Sequence, residues 1–125
     1  MSKIFVVEDD NILAKAITAA LTDAGFKVEA AIDGQEAIDK IPTAKPDLVL
    51  LDLLLPKKSG EEVLAELKKD EATKDIPVLI ATVKDDNDTI SRCVALGIRG
   101  YFIKAHYTLD QIVETIEKVV AERGK

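Results

Sequence analysis

Five short apolar runs recur along the chain, and each is followed by a stretch with helical periodicity. The runs cover residues 3–8, 27–32, 47–52, 76–82 and 100–103. Within them, Ile4-Phe5-Val6-Val7 and Leu48-Val49-Leu50-Leu51 are apolar at every position. A strand with one face in water alternates apolar and polar residues, whereas an unbroken run belongs to a strand buried on both faces. Leu13, Ala16, Ile17, Ala20 and Leu21 share one face of a first helix, which Gly25 stops. Asp33 with Glu36 reads as a capping box opening a second helix, and Pro42 closes it. Ser59 with Glu62 opens a third helix, whose inner face is Val63, Leu64 and Leu67. A fourth runs from Asp86 to Leu96 and ends at Gly97. Thr108 with Gln111 caps a fifth, with Leu109, Ile112, Ile116, Val119 and Val120 as its stripe. Every one of these stripes reads as core.

Strict alternation of strand and helix with short loops predicts an α/β fold, a doubly wound parallel sheet of five strands with helices on both faces. A chain of 125 residues has room for one domain with a real core and not for two ordinary ones. A single domain over 1–125 is therefore expected; nothing in the sequence points to an attached output domain, and trimming from a longer parent chain stays open. The tail Glu122-Arg123-Gly124-Lys125 reads as a frayed end.

Composition narrows the class. Hydrophobic residues make up 47% and charged residues 32%, a globular rather than a disordered balance. The net charge of −6 argues against direct contact with nucleic acid. A single cysteine, Cys93, cannot form an internal disulfide and reads as a small core residue in a reducing compartment. No apolar stretch reaches membrane-spanning length, and the amino terminus runs straight into a strand pattern. A cytoplasmic location with no membrane partner is expected.

Polar residues stand where the apolar runs stop. Glu8 and Asp9 follow the first strand, Asp52 ends the third, Thr82 ends the fourth and Lys104 follows the fifth. Open α/β sheets place their chemistry at the carboxyl ends of the strands. Carboxylates gathered there repel unless a cation neutralises them or one takes a proton. An oxygen-only donor set of this kind suits Mg²⁺. A carboxylate nucleophile can hold a phosphoryl group as an aspartyl phosphate. Mg²⁺, a lysine ammonium and a threonine hydroxyl supply the positive charge and the donors that such a transfer needs. Singly, each residue has an ordinary role: Asp10 or Asn11 as a helix cap, Thr82 as strand filler, Lys104 as a surface lysine. Their joint placement at the strand ends is what sets them apart.

The stretches Ile4-Phe5-Val6-Val7-Glu8-Asp9-Asp10, Pro46-Asp47-Leu48-Val49-Leu50-Leu51-Asp52, Leu55-Pro56 with Gly60, Ile76-Pro77-Val78-Leu79-Ile80 leading to Thr82, and Gly100-Tyr101-Phe102-Ile103-Lys104 together resemble a response-regulator receiver domain from one end to the other. The resemblance implies a flavodoxin-like (βα)5 fold with strand order 2-1-3-4-5. It implies that Asp52 accepts a phosphoryl group from a sensor histidine kinase or a phosphotransfer protein. Asp9 and Asp52 would ligate Mg²⁺ with the backbone carbonyl of Leu54, and Glu8 would assist through water. Lys104 would pair with the phosphoryl group or with Asp52. Thr82 and Tyr101 would form the switch, the first moving toward the phosphoryl and the second turning inward. The surface of helix 4, strand 5 and helix 5 would meet a downstream protein or a second copy as a homodimer. The domain would not be an enzyme in the ordinary sense, but a phospho-acceptor that assists its own phosphorylation and dephosphorylation.

Several positions depart from the family pattern. Ala105 stands where proline usually follows the lysine, and the bond before that proline is commonly cis. A cis bond before alanine costs ~2.5–4 kcal/mol, against under ~1 kcal/mol before proline. The Lys104-Ala105 bond is therefore expected to be trans, with a rearranged loop. Val83, where the family prefers alanine or glycine, is expected to narrow access to Asp52. Leu54 and Lys84 occupy the variable positions that tune hydrolysis. Leu54 cannot orient a water, and the Lys84 ammonium has no lone pair to accept its proton, so a long-lived phosphoryl group is expected. His106 reads as a solvated loop residue.

Two other classes compete. One is a receiver-like protein-binding module that is never phosphorylated. The other is a small enzyme on the same fold. A flavin carrier wants a phosphate loop rich in Ser, Thr and Gly after the first strand, where this chain is acidic. An aspartate phosphatase wants a second acid two residues after its nucleophile, where this chain has Leu54.

Overall fold

The computed structural model describes residues 2–123. Five strands alternate with five helices: β1 Lys3–Val7, α1 Asn11–Asp23, β2 Lys27–Ala31, α2 Gly34–Ala44, β3 Leu48–Leu51, α3 Gly60–Lys69, β4 Val78–Thr82, α4 Asn87–Ala95, β5 Gly100–Ile103 and α5 Leu109–Arg123. A short 3-10 turn, Lys104–His106, joins β5 to α5. The strands are parallel in the order β2-β1-β3-β4-β5, as the resemblance implied.

The order follows from apolarity. β3 and β4 are buried at every position and lie in the interior of the sheet, whereas β2 is mostly exposed and forms an edge. Successive side chains of a strand point to opposite faces, so each unbroken run feeds two cores. Phe5, Val7, Val49, Leu51, Val78 and Ile80 point toward α2, α3 and α4, where they meet Ile41, Leu64 and Cys93. Ile4, Val6, Leu48, Leu50 and Leu79 point the other way, toward Ile17 and Leu21 of α1 and Ile116 of α5. Each large aliphatic side chain buried this way contributes about 1.5–3 kcal/mol before chain entropy is counted.

The elements begin and end close to the expected positions, with physical reasons for the differences. β4 starts at Val78 rather than residue 76. The Ile76 N–H bonds back to the Thr73 carbonyl, and Pro77 has no N–H to give the ladder. Asp52 lies one residue beyond β3, whereas Lys104 directly follows β5, as expected, and opens the 3-10 turn. Ala16 of α1 is exposed and not part of the core stripe, which consists of Ile17 and Leu21 flanked by Leu13 and Ala20.

Pro42 does not close α2. The helix continues to Ala44 and stops at Lys45, whose left-handed backbone (φ 47°) lets its N–H reach the Ile41 carbonyl. Pro42 forgoes the bond its own N–H would make and crowds the carbonyl four residues before it, yet Thr43 and Ala44 after it stay helical. Asp33 caps α2 through the Glu36 N–H at 2.8 Å, but the cap is one-sided because the Glu36 carboxylate pairs with Lys40. Ser59–Glu62 and Thr108–Gln111 are reciprocal boxes. Gly25 and Gly97 take positive φ where α1 and α4 end.

The carboxyl-terminal tail departs from the frayed reading as far as it is described. Glu122 and Arg123 belong to α5. Arg99 holds Glu122 at 2.7 Å, and Arg123 donates to the carbonyls of Pro46 and Asp47. Gly124 and Lys125 lie outside the described residues.

Gly60 fastens α3 to the end of β3. Its N–H donates to the Leu53 carbonyl at 2.9 Å. A Cβ there would strike the Asp52 carbonyl oxygen and lie 2.9 Å from the Asp52 carbonyl carbon. Neither backbone atom can swing aside. Gly60→Ala is expected to destabilise the protein by ~1–3 kcal/mol, the usual cost of overpacking. An unchanged urea midpoint in Gly60→Ala would contradict this close approach.

Candidate functional site

The backbone presents the acidic residues before any side chain is considered. The ladder extends one step past the strands: the Glu8 N–H donates to the Ala31 carbonyl, and the Asp52 N–H to the Val7 carbonyl. Glu8 and Asp52 are thereby locked side by side at the carboxyl edge of the sheet. Both are nearly inaccessible, 3% and 6% exposed, while Asp9 is exposed. Carboxylate oxygens of Glu8, Asp9 and Asp52 lie within 4.8 Å of one another.

Lys104 reaches in from the carboxyl end of β5, across β4. Its ammonium donates to Glu8 Oε1 at 2.7 Å and to Asp52 Oδ2 at 2.9 Å. The other oxygen of each carboxylate is also held, Glu8 Oε2 by the Asp10 N–H and Asp52 Oδ1 by the Leu54 N–H. Burial pushes the Glu8 carboxyl above its usual range, and the Lys104 hydrogen bond opposes that push. For Lys104, burial alone would lower the pKa, but the hydrogen bonds and charges of Glu8 and Asp52 outweigh it and raise it. The lysine is therefore firmly charged. Three carboxylates still face one ammonium, and that excess of negative oxygen donors fits a hard divalent cation such as Mg²⁺.

Thr82 is fully buried at the end of β4, and its hydroxyl accepts the Lys84 N–H at a long 3.5 Å. Tyr101 packs against the core on the α3 and α4 side, with its hydroxyl donating to the Lys84 carbonyl at 2.8 Å. Leu54 is 49% exposed, so its side chain borders the solvent while its N–H serves Asp52. Asp10 caps α1 through the N–H groups of Ile12 and Leu13. Val83 is 61% exposed and forms no part of the buried wall. His106 is exposed. No peptide bond among the described residues is cis, so Lys104-Ala105 is trans, and the loop winds into the 3-10 turn.

Two contributors escape a reading of side-chain types. The Lys84 carbonyl receives Tyr101, and no backbone acceptor can be read from a residue's name. Gly60 supports Asp52 from behind; the sequence shows it as part of the Leu55-Pro56 with Gly60 stretch, but not its contact with the Asp52 backbone.

The family profile described as "Response regulator receiver domain" matches residues 4–117. The chain belongs to the response regulator receiver domain family. Among curated proteins, this receiver domain is 36% identical over 114 residues to the transcriptional regulatory protein DltR of Streptococcus agalactiae serotype III, covering 91% of this chain and 50% of that protein. It thus spans about half the length of the relative it matches. Among solved structures it is similar to the Francisella response regulator 1452 receiver domain, with a TM-score of 0.89, 25% identity and full coverage of both chains. It is also similar to the Mn²⁺-bound form of response regulator Rcp1, with a TM-score of 0.83, 30% identity and coverage of 94% and 92%.

The fold is thus the flavodoxin-like receiver fold. Receiver domains accept phosphoryl groups from histidine kinases, bind Mg²⁺ at an acidic pocket and are not classical enzymes. No helix among the described residues is long and apolar enough to cross a membrane.

Burial, followed by the nearby charges of Cys93, Asp86, Glu61 and Asp85, pushes the Tyr101 phenol up to about 12. A folded-state value above the unfolded 10.0 means the native state holds that proton more tightly. The resulting stabilisation is complete below pH 10 and is lost as pH rises toward about 12. In Tyr107→Phe, Tyr101 is the sole remaining tyrosine. Its phenolate absorbance should then titrate near pH 12. A midpoint near ~10 would place the hydroxyl in water.

Proposed function

We propose that this domain, over 1–125, takes a phosphoryl group onto Asp52 from a phosphohistidine of a sensor histidine kinase or phosphotransfer protein. The observation that carries the proposal is the Lys104 ammonium shared between Asp52 and Glu8. It orients Asp52 and already stands where a phosphoryl oxygen would need a cation. An Asp52 carboxylate oxygen attacks phosphorus, the phosphorus–nitrogen bond breaks, and the imidazole nitrogen takes the electron pair and a proton. Asp9, Asp52 and the Leu54 carbonyl would hold Mg²⁺, with Glu8 assisting, and the ion would supply positive charge beside the phosphoryl oxygens. Lys104 supplies the second positive charge, and the Thr82 hydroxyl donates to a third oxygen. Burial of Asp52 limits the entry of water, and Leu54 and Lys84 offer no group that activates it.

The switch follows from the same residues. The Thr82 hydroxyl holds the Lys84 N–H only weakly, so a move toward the phosphoryl group costs little. Tyr101 is anchored to the same residue, Lys84, and follows the loop. The change is read on the face formed by α4, β5 and α5, by a separate protein or by a second copy. Contact with nucleic acid, which the name of DltR suggests for that protein, belongs on this reading to other segments, since the chain itself carries −6. The setting is cytoplasmic.

Incubation with acetyl phosphate and Mg²⁺ should add one phosphoryl mass, labile to base, in wild type and not in Asp52→Asn. Asp9→Ala should abolish the Mg²⁺ requirement's signature, a Mg²⁺-dependent spectral change, and slow the modification. The adduct should decay faster in Leu54→Asn. An adduct persisting in Asp52→Asn moves the site elsewhere; no adduct in wild type favours a binding module instead.

A further inference from the structure

α4 is the most lightly anchored helix of the sheet's α2, α3 and α4 side. It buries only Thr89 and Cys93, whereas the neighbouring α3 buries Gly60, Val63, Leu64 and Leu67. Elements with few buried apolar side chains open first. What α4 lacks in apolar burial is supplied by a polar chain. Arg92 forms a forked ion pair with Glu61 of α3, Nε to Oε1 at 2.7 Å and Nη2 to Oε2 at 3.3 Å. Its Nη2 also donates to Thr89 Oγ1 at 3.2 Å. The Thr89 hydroxyl and N–H both donate to Asp86, the cap of α4, at 2.6 and 3.0 Å. Among the described residues, the Glu61–Arg92 pair is the hydrogen-bonded tie between α3 and α4.

Each end of this chain is fastened to a residue of the acidic site. Glu61 follows Gly60, which is packed against the backbone of Asp52 and Leu53. Asp86 follows the loop that leaves Thr82 through Lys84, where Tyr101 is bound. The ion pair thus joins a segment packed behind Asp52 to a segment that follows Thr82.

We propose that the Glu61–Arg92 pair is a latch that keeps α4 docked, and that Arg92 is a positioning residue setting the resting state of the Thr82–Asp86 loop. The coupling of this latch to Asp52 rests on the phosphorylation reading above; the latch itself does not. An ion pair whose Arg92 side chain is 57% exposed is screened by salt, so the latch weakens as ionic strength rises. Its release uncovers Cys93, which is fully buried on the inner face of α4 and is the chain's sole thiol.

The test is the rate of Cys93 alkylation by iodoacetamide in the folded protein without phosphoryl donor. Wild type, Arg92→Gln, Glu61→Gln and the exchanged pair Glu61→Arg with Arg92→Glu are compared, and urea midpoints report global stability. Alkylation should be ~2–5-fold faster in both single variants, the range an exposed pair supports, and should return toward wild type in the exchanged pair. Added NaCl should speed wild type and leave Arg92→Gln unchanged. Equal rates in wild type and both single variants, or rates that track the urea midpoints alone, would overturn the latch. In a second arm, acetyl phosphate with Mg²⁺ should speed wild type toward the Arg92→Gln rate, with intact mass confirming the adduct. An adduct without faster alkylation overturns the coupling to Asp52. Absence of any adduct overturns the phosphorylation reading and leaves the first arm to decide the latch.

Discussion

One ammonium group balances the carboxyl edge of the sheet. Glu8 and Asp52 are side by side because the β1–β3 ladder places them there, and both are almost wholly buried. Two adjacent buried carboxylates are unfavourable without a cation. Lys104, arriving from the end of β5 across β4, meets both at under 3 Å. That contact ties the first, third and fifth strands together at the point where the sheet has no further backbone ladder. The order β2-β1-β3-β4-β5 is what makes it possible, since it puts the acidic strands next to each other and the lysine within reach.

The surroundings give this charge arrangement a fixed frame on one side and a yielding one on the other. Behind Asp52 the frame is backbone: the Val7 carbonyl, the Leu54 N–H and the close approach of Gly60. Across from it, Thr82 is fully buried but held by a single long hydrogen bond, and the loop that follows is fixed mainly through Tyr101 and the caps of α4. A site rigid around Asp52 and loose around Thr82 suits the proposed role of registering a new charged group. Energy gained at the oxygens is available to move the loosely held half rather than to deform the core.

Much of this was legible in the chain. The unbroken runs of β1 and β3 announced strands buried on both faces, and polar residues at their ends marked the site. The strand order was not legible from periodicity, because nothing in an apolar run says which neighbour it pairs with; it came with the family resemblance. Ala16 lay at the edge of a plausible stripe, and an alanine is small enough to sit on either side of that edge. Pro42 reads as a stop, yet a proline disturbs the turn before it and leaves the two helical residues after it free to continue. Glu122 and Arg123 looked frayed because their partners, Arg99, Pro46 and Asp47, are distant in sequence. The Glu61–Arg92 pair went unnoticed for the same reason: two ordinary surface charges on different helices carry no local signal.

Lys104 and, on the proposed reading, a divalent cation perform overlapping electrostatic work on the same carboxylates. Replacing Lys104 by Met keeps most of the side chain's stem and removes its charge together with its hydrogen bonds to Glu8 and Asp52. The direct measurement is the unfolding free energy of wild type and Lys104→Met at neutral pH, with and without Mg²⁺. Without Mg²⁺ the variant is expected to lose ~3–5 kcal/mol, the scale set by leaving buried carboxylates without their partner. Mg²⁺ should then stabilise the variant more than it stabilises wild type. A variant as stable as wild type without Mg²⁺, or one that gains no more from the cation, would contradict the account.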